Sequence, residues 1–514
     1  MSTSQSRTDK SIKNTILAVS EQCIYSIMSF LSRTVFVYTL GKTYLGFSGL
    51  FSDILTLLSL AELGIGTAIT YSMYKPAADC DYKNLAVLLN TYKRIYNTIG
   101  IIITIIGVCL TPFLNIFISG IPDIKELPYI YLLYLLNTTA SYFFIYKKSI
   151  LIVEQKNYIS SIIYSICIVS QNLLQIFFLI QTRNFIVYLI IQVLCTLANN
   201  ILISIYVDKH YDFIKKYKDE KISQIQKDVI ISNVKAMVIS KLSSAIVSST
   251  DSLLISSFVS TIVLGLYSNY AMFLTMIRTM LQKVFEALTG SVGNLVSTES
   301  GEKSYQVFKR IWFLNFWMVS FCTICLWSLV DPFISLWIGD SYLLSKEVVF
   351  IICLNMYMRL IRNTFLVFID TYGLFTQIKK KCIAEAFINL GISLIFVGPL
   401  KMGILGVLLG TFVSNITTNF WYEPYILYYK KFNKSLILYF TRFGLYALIT
   451  GILGLLERYF IDYIIGFDGW FGFVCQFLFV ILTVNIIIVL IFFKTEEFKY
   501  VINIINSKFI KKGR

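Results

Sequence analysis

The chain has 514 residues, 56% of them hydrophobic and only 14% charged, where a soluble globule carries nearer a quarter charged residues. That balance excludes a soluble domain and predicts an integral membrane protein. The formal net charge of +16 then has to be placed somewhere along it.

Apolar runs of about 20 residues, long enough to cross a bilayer as helix, recur along nearly the whole length. The first, around Ile16 to Leu40, is too long and too polar for a secretory signal and has no small-residue cleavage site, so it reads as mature structure. Further runs follow at 47–73, 95–118, 128–146, 159–180, 184–206, 236–258, 262–290, 311–337, 348–370, 383–400, 402–428, 436–456 and 470–493. This predicts an all-α protein of about 14 transmembrane helices. Strands are excluded because the runs are two to three times longer than a barrel strand and lack its alternation.

The distribution of charge sets a topology. With the N-terminus inside, roughly 32 of the 45 Lys and Arg residues fall in cytoplasmic segments and about 6 outside. Both termini are therefore predicted to be cytoplasmic, in a multi-pass protein of the cell membrane. The longest basic stretch, "DKHYDFIKKYKDEKISQIQKD" at 208–228, lies between the sixth and seventh spans. It reads as a solvated, headgroup-facing linker, and no nucleic-acid partner is predicted. It holds the only histidine, His210, so a His-dependent triad or zinc site would have to be built on that residue alone. Cys322 and Cys325 have a CxxC spacing inside an apolar helix with no second pair, which reads as core packing. No metal or cofactor is predicted.

An offset of roughly 219 residues lays "TLGKTYLGFSGLFSDILTLL" (39–58) over "FVSTIVLGLYSNYAMFLTMI" (258–277), with Leu45 and Gly46 on Leu264 and Gly265. The spans before these segments agree with the offset. Gln22, Tyr25, Ser29 and Ser32, with Arg33 adjacent, follow 3–4–3 spacing, and so do Lys241, Ser244, Ser248 and Asp251; each set keeps to one face of a helix. A match between the first and seventh spans predicts two six-helix lobes related by a pseudo-two-fold axis along the membrane normal, as in transporters built from parallel repeats. The predicted division is an N-terminal lobe at 1–206, a basic cytoplasmic linker at 207–235, a C-terminal lobe at 236–428, and an extra helix hairpin with a basic tail at 429–514.

Basic residues remaining at depth are Arg33, Lys241, Arg278, Lys283, Arg359, Arg362 and Arg442, against the acidic Asp53, Glu62 and Asp251. An ionisable group inside a membrane marks a functional site unless a partner neutralises it. Lys283 can pair locally with Glu286, and Arg442 can snorkel to the inner face. In "MYMRLIRNTF", Arg359 and Arg362 stand three apart on one face and cannot neutralise one another. Two readings stay open for them: a phosphate-rich ligand, matched by guanidinium forks, or carbonyls and acids on neighbouring helices. Arg33 falls by the repeat register near the depth of Asp251, so the two are candidates for pairing across a cleft. Asp53 can cap or line a polar outer mouth, and Glu62 can serve helix packing or a substrate or ion role; both are gating or coupling candidates.

Arg33, "LGKTYLGFSGLF" and "LLSLAELGIGTAI" together resemble the Wzx-type polysaccharide flippases of the multidrug/oligosaccharidyl-lipid/polysaccharide exporter superfamily. The likeness covers roughly residues 10 to 300 and is diffuse beyond. The resemblance implies a two-lobed helical bundle, not an enzyme, that moves an isoprenoid-diphosphate-linked oligosaccharide to the outer leaflet for cell-surface polysaccharide synthesis. It also implies a cationic cavity to which Arg33, Lys241, Arg278, Arg359 and Arg362 would correspond, with Asp53, Glu62 and Asp251 as gating or coupling candidates. Implied partners are the lipid-linked substrate, membrane lipids, and a polysaccharide polymerase and glycosyltransferases. Many relatives have twelve spans, so the last pair is a departure. The alternatives are a drug or organic-cation antiporter of the same superfamily, which would favour acidic residues, and a membrane polysaccharide polymerase or ligase, which needs a larger external loop than any here.

Overall fold

The structure is a computed structural model of the whole chain that describes residues 7–59, 65–118, 126–154, 156–217, 249–463, 469–500 and 502. Among the described residues there is no strand. Physics leaves few alternatives, because a lipid-facing backbone must satisfy its own hydrogen bonds and a helix does so within one segment. Eight of the described helical stretches are long and apolar enough to cross a bilayer. The protein is an all-α, multi-pass membrane protein.

Among the described residues the helices follow the predicted runs in order; residues 60–64 of the second run and 236–248 of the seventh lie outside them. The first unit, Met1–Gly265, contains α1 (Arg7–Leu58), α2 (Ile65–Ala78), α3 (Tyr82–Leu110), α4 (Leu127–Tyr142), α5 (Ile145–Val153), α6 (Asn157–Thr182), α7 (Phe185–His210) and the short α8 (Phe213–Lys216). Here α1 packs on α6, α6 on α7, and α7 on α4. Of the predicted linker 207–235, residues 218–235 lie outside the described residues.

The repeat is visible as geometry. Inside α1 the helix breaks at Gly41, whose φ of 77° and ψ of −173° lie where only glycine is comfortable. At the repeat-matched position, a π-helical turn Ile255–Val259 ends at Ser260 with extended backbone, and α9 (Thr261–Thr298) begins. Past the two breaks the segments cross closely and reciprocally. A Cβ added to Gly46 would collide with the Thr261 carbonyl oxygen, and one added to Gly265 with the Lys42 carbonyl oxygen. Lys42 and Thr261 are separated by the same offset as Gly46 and Gly265. A contact in which i meets j and the mate of j meets the mate of i is the signature of a local two-fold axis.

The second unit, Leu266–Arg514, holds most of α9, then α10 (Gly301–Ile338), α11 (Lys346–Leu360), α12 (Asn363–Thr371), α13 (Phe375–Val397), α14 (Gly403–Thr417), α15 (Asn419–Lys430), α16 (Ile437–Tyr463) and α17 (Gly469–Phe492). Two predicted spans are interrupted. The run 348–370 is α11 followed by α12, with the step at Ile361 and Arg362. The run 402–428 is α14 followed by α15, with the step at Thr418. Pro424 within α15 lacks an N–H and crowds the carbonyl four residues earlier, which loosens the preceding turn. The last helix pair packs on α10: Phe316 stacks on Tyr446 at 3.9 Å, the Trp317 indole N–H donates to Asn485 at 2.9 Å, and Ser320 and Thr450 hydroxyls bond at 2.6 Å.

Candidate functional site

In the second unit, the two helix steps bring polar side chains together at depth. Asn415, Asn419 and Glu423 recur every four residues, which sets them on one face across the step from α14 to α15. Lys381 and Glu385 are one turn apart on α13. Arg362 holds the N-cap position of α12. Its Nε donates to Glu423 Oε2 at 2.9 Å and its Nη2 to Oε1 at 2.5 Å, a two-point grip that fixes the carboxylate plane. The Lys381 ammonium donates to the same Oε1 at 2.9 Å and to Asn419 Oδ1 at 2.5 Å. Asn419 in turn donates to Glu385 Oε1 at 2.6 Å and to Asn415 Oδ1 at 2.7 Å. Lys381 lies 3.4 Å from Glu385. Two cations and two carboxylates are thus interleaved with amides, and the side chains of Glu423 and Lys381 are only 1% and 5% exposed.

The carbonyls released at the first step are also accounted for. Asn315 on α10 donates to Leu360 O at 3.2 Å and Ile361 O at 2.8 Å. Irregular backbone at membrane depth is tolerated when protein groups satisfy it in this way.

A second polar cluster of this unit ties α9, α10 and α16 with the segment after α10. Tyr270 donates to Asp331 Oδ1 at 2.9 Å and accepts from the Leu344 N–H at 3.1 Å. Arg458 lies 3.5 Å from Asp331 Oδ2, donates to the Trp327 carbonyl at 2.9 Å, and reaches Asp462 at 3.2 Å.

In the first unit, Arg33 is half-buried on α1, with the Tyr134 and Tyr188 hydroxyls among its electrostatic neighbours. Ser32 sits 3.4 Å from the Tyr188 hydroxyl, and Tyr134 donates to Ser48 at 2.8 Å. Phe36 meets the rings of Phe185 and Tyr188 edge-on close by. Asp53, further along α1, accepts a hydrogen bond from Ser252, the residue after Asp251. The structure thus brings Asp53 to the 251–252 turn.

The other sequence-predicted site residues are dispersed. Arg278 on α9 and Arg359 on the last turn of α11 are exposed, whereas Arg362 is turned into the ion cluster. Arg442 lies 3.0 Å from Glu497. Glu62 and Lys241 lie outside the described residues. Sequence reasoning missed Lys381, Glu385 and Glu423; the spacing of Asn415, Asn419 and Glu423 was the available signal.

No protein-family model matches the chain, and no curated protein matches it either. Solved structures do match. An inward-facing multidrug resistance MATE family transporter of the MOP superfamily aligns with a TM-score of 0.61 and 15% identity, over 78% of this chain and 95% of its own. The lipid II flippase MurJ, in an inward closed conformation, aligns at 0.61 and 17% identity, over 92% of this chain and 99% of its own. The chain has the fold of the MOP-superfamily transporters. A third structure with this MOP fold, a transporter from Pyrococcus furiosus described as having a binding pocket of reverse polarity, aligns at 0.53 and 14% identity over 80% of this chain and 92% of its own.

Proposed function

We propose that the chain is a flippase that translocates polyprenyl-diphosphate-linked oligosaccharide repeat units from the inner to the outer leaflet by alternating access, for cell-surface polysaccharide synthesis. The observation that carries this reading is how three carboxylates of the second unit are used. Glu423 is held by Arg362 and Lys381, Glu385 by Lys381 and Asn419, and Asp331 by Arg458. Arg278 makes no ion pair among the described residues. Neutralised acids, together with a cation that has no ion pair, suit an anionic headgroup better than an organic cation. The fold is shared with a lipid flippase over almost its full length, which supports the same reading.

In this proposal Arg33, Lys241, Arg278 and Arg359 meet the diphosphate, Arg362 belongs to the same cationic set through its clasp, and Asp53, Glu62 and Asp251 gate or couple. The polyprenyl tail stays in lipid. Outward movement of a negative headgroup is favoured by an inside-negative potential by ~2.3 kcal/mol per charge per 100 mV. The predicted setting is the cytoplasmic membrane with both termini inside, beside a polymerase and glycosyltransferases.

The test is a vesicle assay. Fluorescent polyprenyl-diphosphate oligosaccharide should become accessible from the far side only in vesicles that contain the protein. Arg278→Gln and Arg359→Gln should each slow this by about tenfold or more. A second reading, an organic-cation antiporter, is favoured by the likeness to a multidrug transporter and by Asp53. Export of organic cations that is lost in Asp53→Asn, with no movement of the lipid, would replace the first reading with the second.

A further inference from the structure

Between the outward faces of α6 and α7 lies a groove of about 320 Å³, lined by Ile163 and Ile166 on one side and Leu202 and Ile205 on the other. That volume is at the small end of the range for ligand sites, about 300 to 1,000 Å³. Its walls are apolar, but one end is not: Lys209 and His210, both exposed, close the groove where α7 finishes. Tyr206 braces this end, since its ring stacks on the imidazole with centroids 4.1 Å apart. The His210 Nδ1 lies 2.8 Å from the Tyr206 carbonyl. A carbonyl only accepts, so Nδ1 carries the proton and Nε2 is left for a ligand, as a second donor once the ring is protonated.

The acidic groups near this end are mostly engaged elsewhere. Asp208 is held by Lys147 at 2.6 Å, and Glu154 is held by Lys156 and Tyr211, both at 2.7 Å. Asp212 stands at the N-cap position of the short α8 without a side-chain hydrogen bond to it, and that helix adds Lys215 and Lys216. Lys209 makes no ion pair among the described residues. An apolar slot of acyl-chain character, capped by cations at the end of a membrane helix, has the charge pattern of a lipid with an anionic head.

We propose that this groove seats an anionic glycerophospholipid, its acyl chain along Ile163, Ile166, Leu202 and Ile205 and its phosphate held by Lys209 and His210. The seat lies on the outward face of the first unit, and the lipid is a resident of the membrane rather than cargo. It does not depend on which substrate the protein carries.

The test uses the full-length protein in detergent micelles, with bound lipid read by native mass spectrometry. Phosphatidylglycerol should be retained over phosphatidylcholine, and Lys209→Gln and His210→Gln should each reduce that preference by about fivefold. Ile166→Trp, which fills the slot from a lipid-facing position, should lower retention of both lipids while leaving the elution profile of the protein unchanged. Equal retention of the two lipids by the unaltered protein would overturn the proposal, as would a preference that survives in the double variant. Competition by soluble glycerol phosphate as effective as that by phosphatidylglycerol would also overturn it, because the site would then be an anion site without a chain.

Discussion

The second unit contains two clusters with the same ingredients, arginine or lysine against carboxylate, arranged to opposite effect. Around Glu423 the contacts run from 2.5 to 2.9 Å, and its side chain is 1% exposed. Around Asp331 and Asp462 the ion pairs run from 3.2 to 3.7 Å, with those carboxylates 13% and 30% exposed. The burial of the central pair separates the two: Glu423 and Lys381 are 1% and 5% exposed, Asp331 and Arg458 13% each. A buried charge is stable only while its partner remains, whereas a partly hydrated one can turn to water. The inner cluster is therefore a clasp across α12, α13 and α15, and the outer one a tether between α10 and α16.

The largest effect should come from breaking the clasp on its acidic side. Glu423→Ala would leave Arg362 and Lys381 buried without their shared carboxylate and should cost about 3–5 kcal/mol of stability in a denaturation series in detergent. Replacing all three residues together by methionine should recover most of that loss, because a packed apolar trio has no charge to strand. A loss for Glu423→Ala no greater than that for the outer cluster would erase the distinction between the two.

That inner cluster is also where the sequence was least legible. Span order, the all-α fold and the repeat could be read, because apolar run length and a conserved offset between "LG" pairs are one-dimensional signals. The reciprocal approach of Gly46 and Gly265 is their three-dimensional form. The break at Gly41 has a residue-level cue, but its mate Ser260 solves the same break with extended backbone that any residue adopts. The clasp escaped for a different reason. Lys381 fell just before the predicted run 383–400, so it counted as loop, and the helix steps at Arg362 and Thr418 depend on tertiary partners such as Asn315. Arg362 and Arg359 carry the same charge three residues apart, and which of them is turned onto Glu423 depends on where α15 places that carboxylate.

A smaller effect is expected at the tether. Asp331→Ala removes the acceptor for Tyr270 and the more buried of the two anions of Arg458 together. It should cost about 1–3 kcal/mol in the same denaturation series. Asp331→Asn keeps an acceptor for Tyr270 and should cost less. If the two variants are equal, the hydrogen bond to Tyr270 contributes nothing and the ion pair is the whole tether.

The smallest effect should be found at Asp462. Its Oδ2 sits 3.2 Å from Arg458 and 3.7 Å from Lys346, and the Lys346 side chain is 72% exposed. Exposed pairs of this length contribute about 0.2–1 kcal/mol, and Arg458 keeps the Trp327 carbonyl at 2.9 Å and the indole ring 5.5 Å beneath it when Asp462 is changed. Asp462→Asn should therefore shift the denaturation midpoint only slightly. The shift should vanish as salt approaches about 1 M, where the screening length falls to about 3 Å. Glu423→Ala should show no such salt dependence, since ions do not reach a carboxylate that α12, α13 and α15 enclose. Parallel salt curves for the two variants would mean that solvent enters the inner cluster as freely as the outer one, and the contrast between clasp and tether would fail at its physical root.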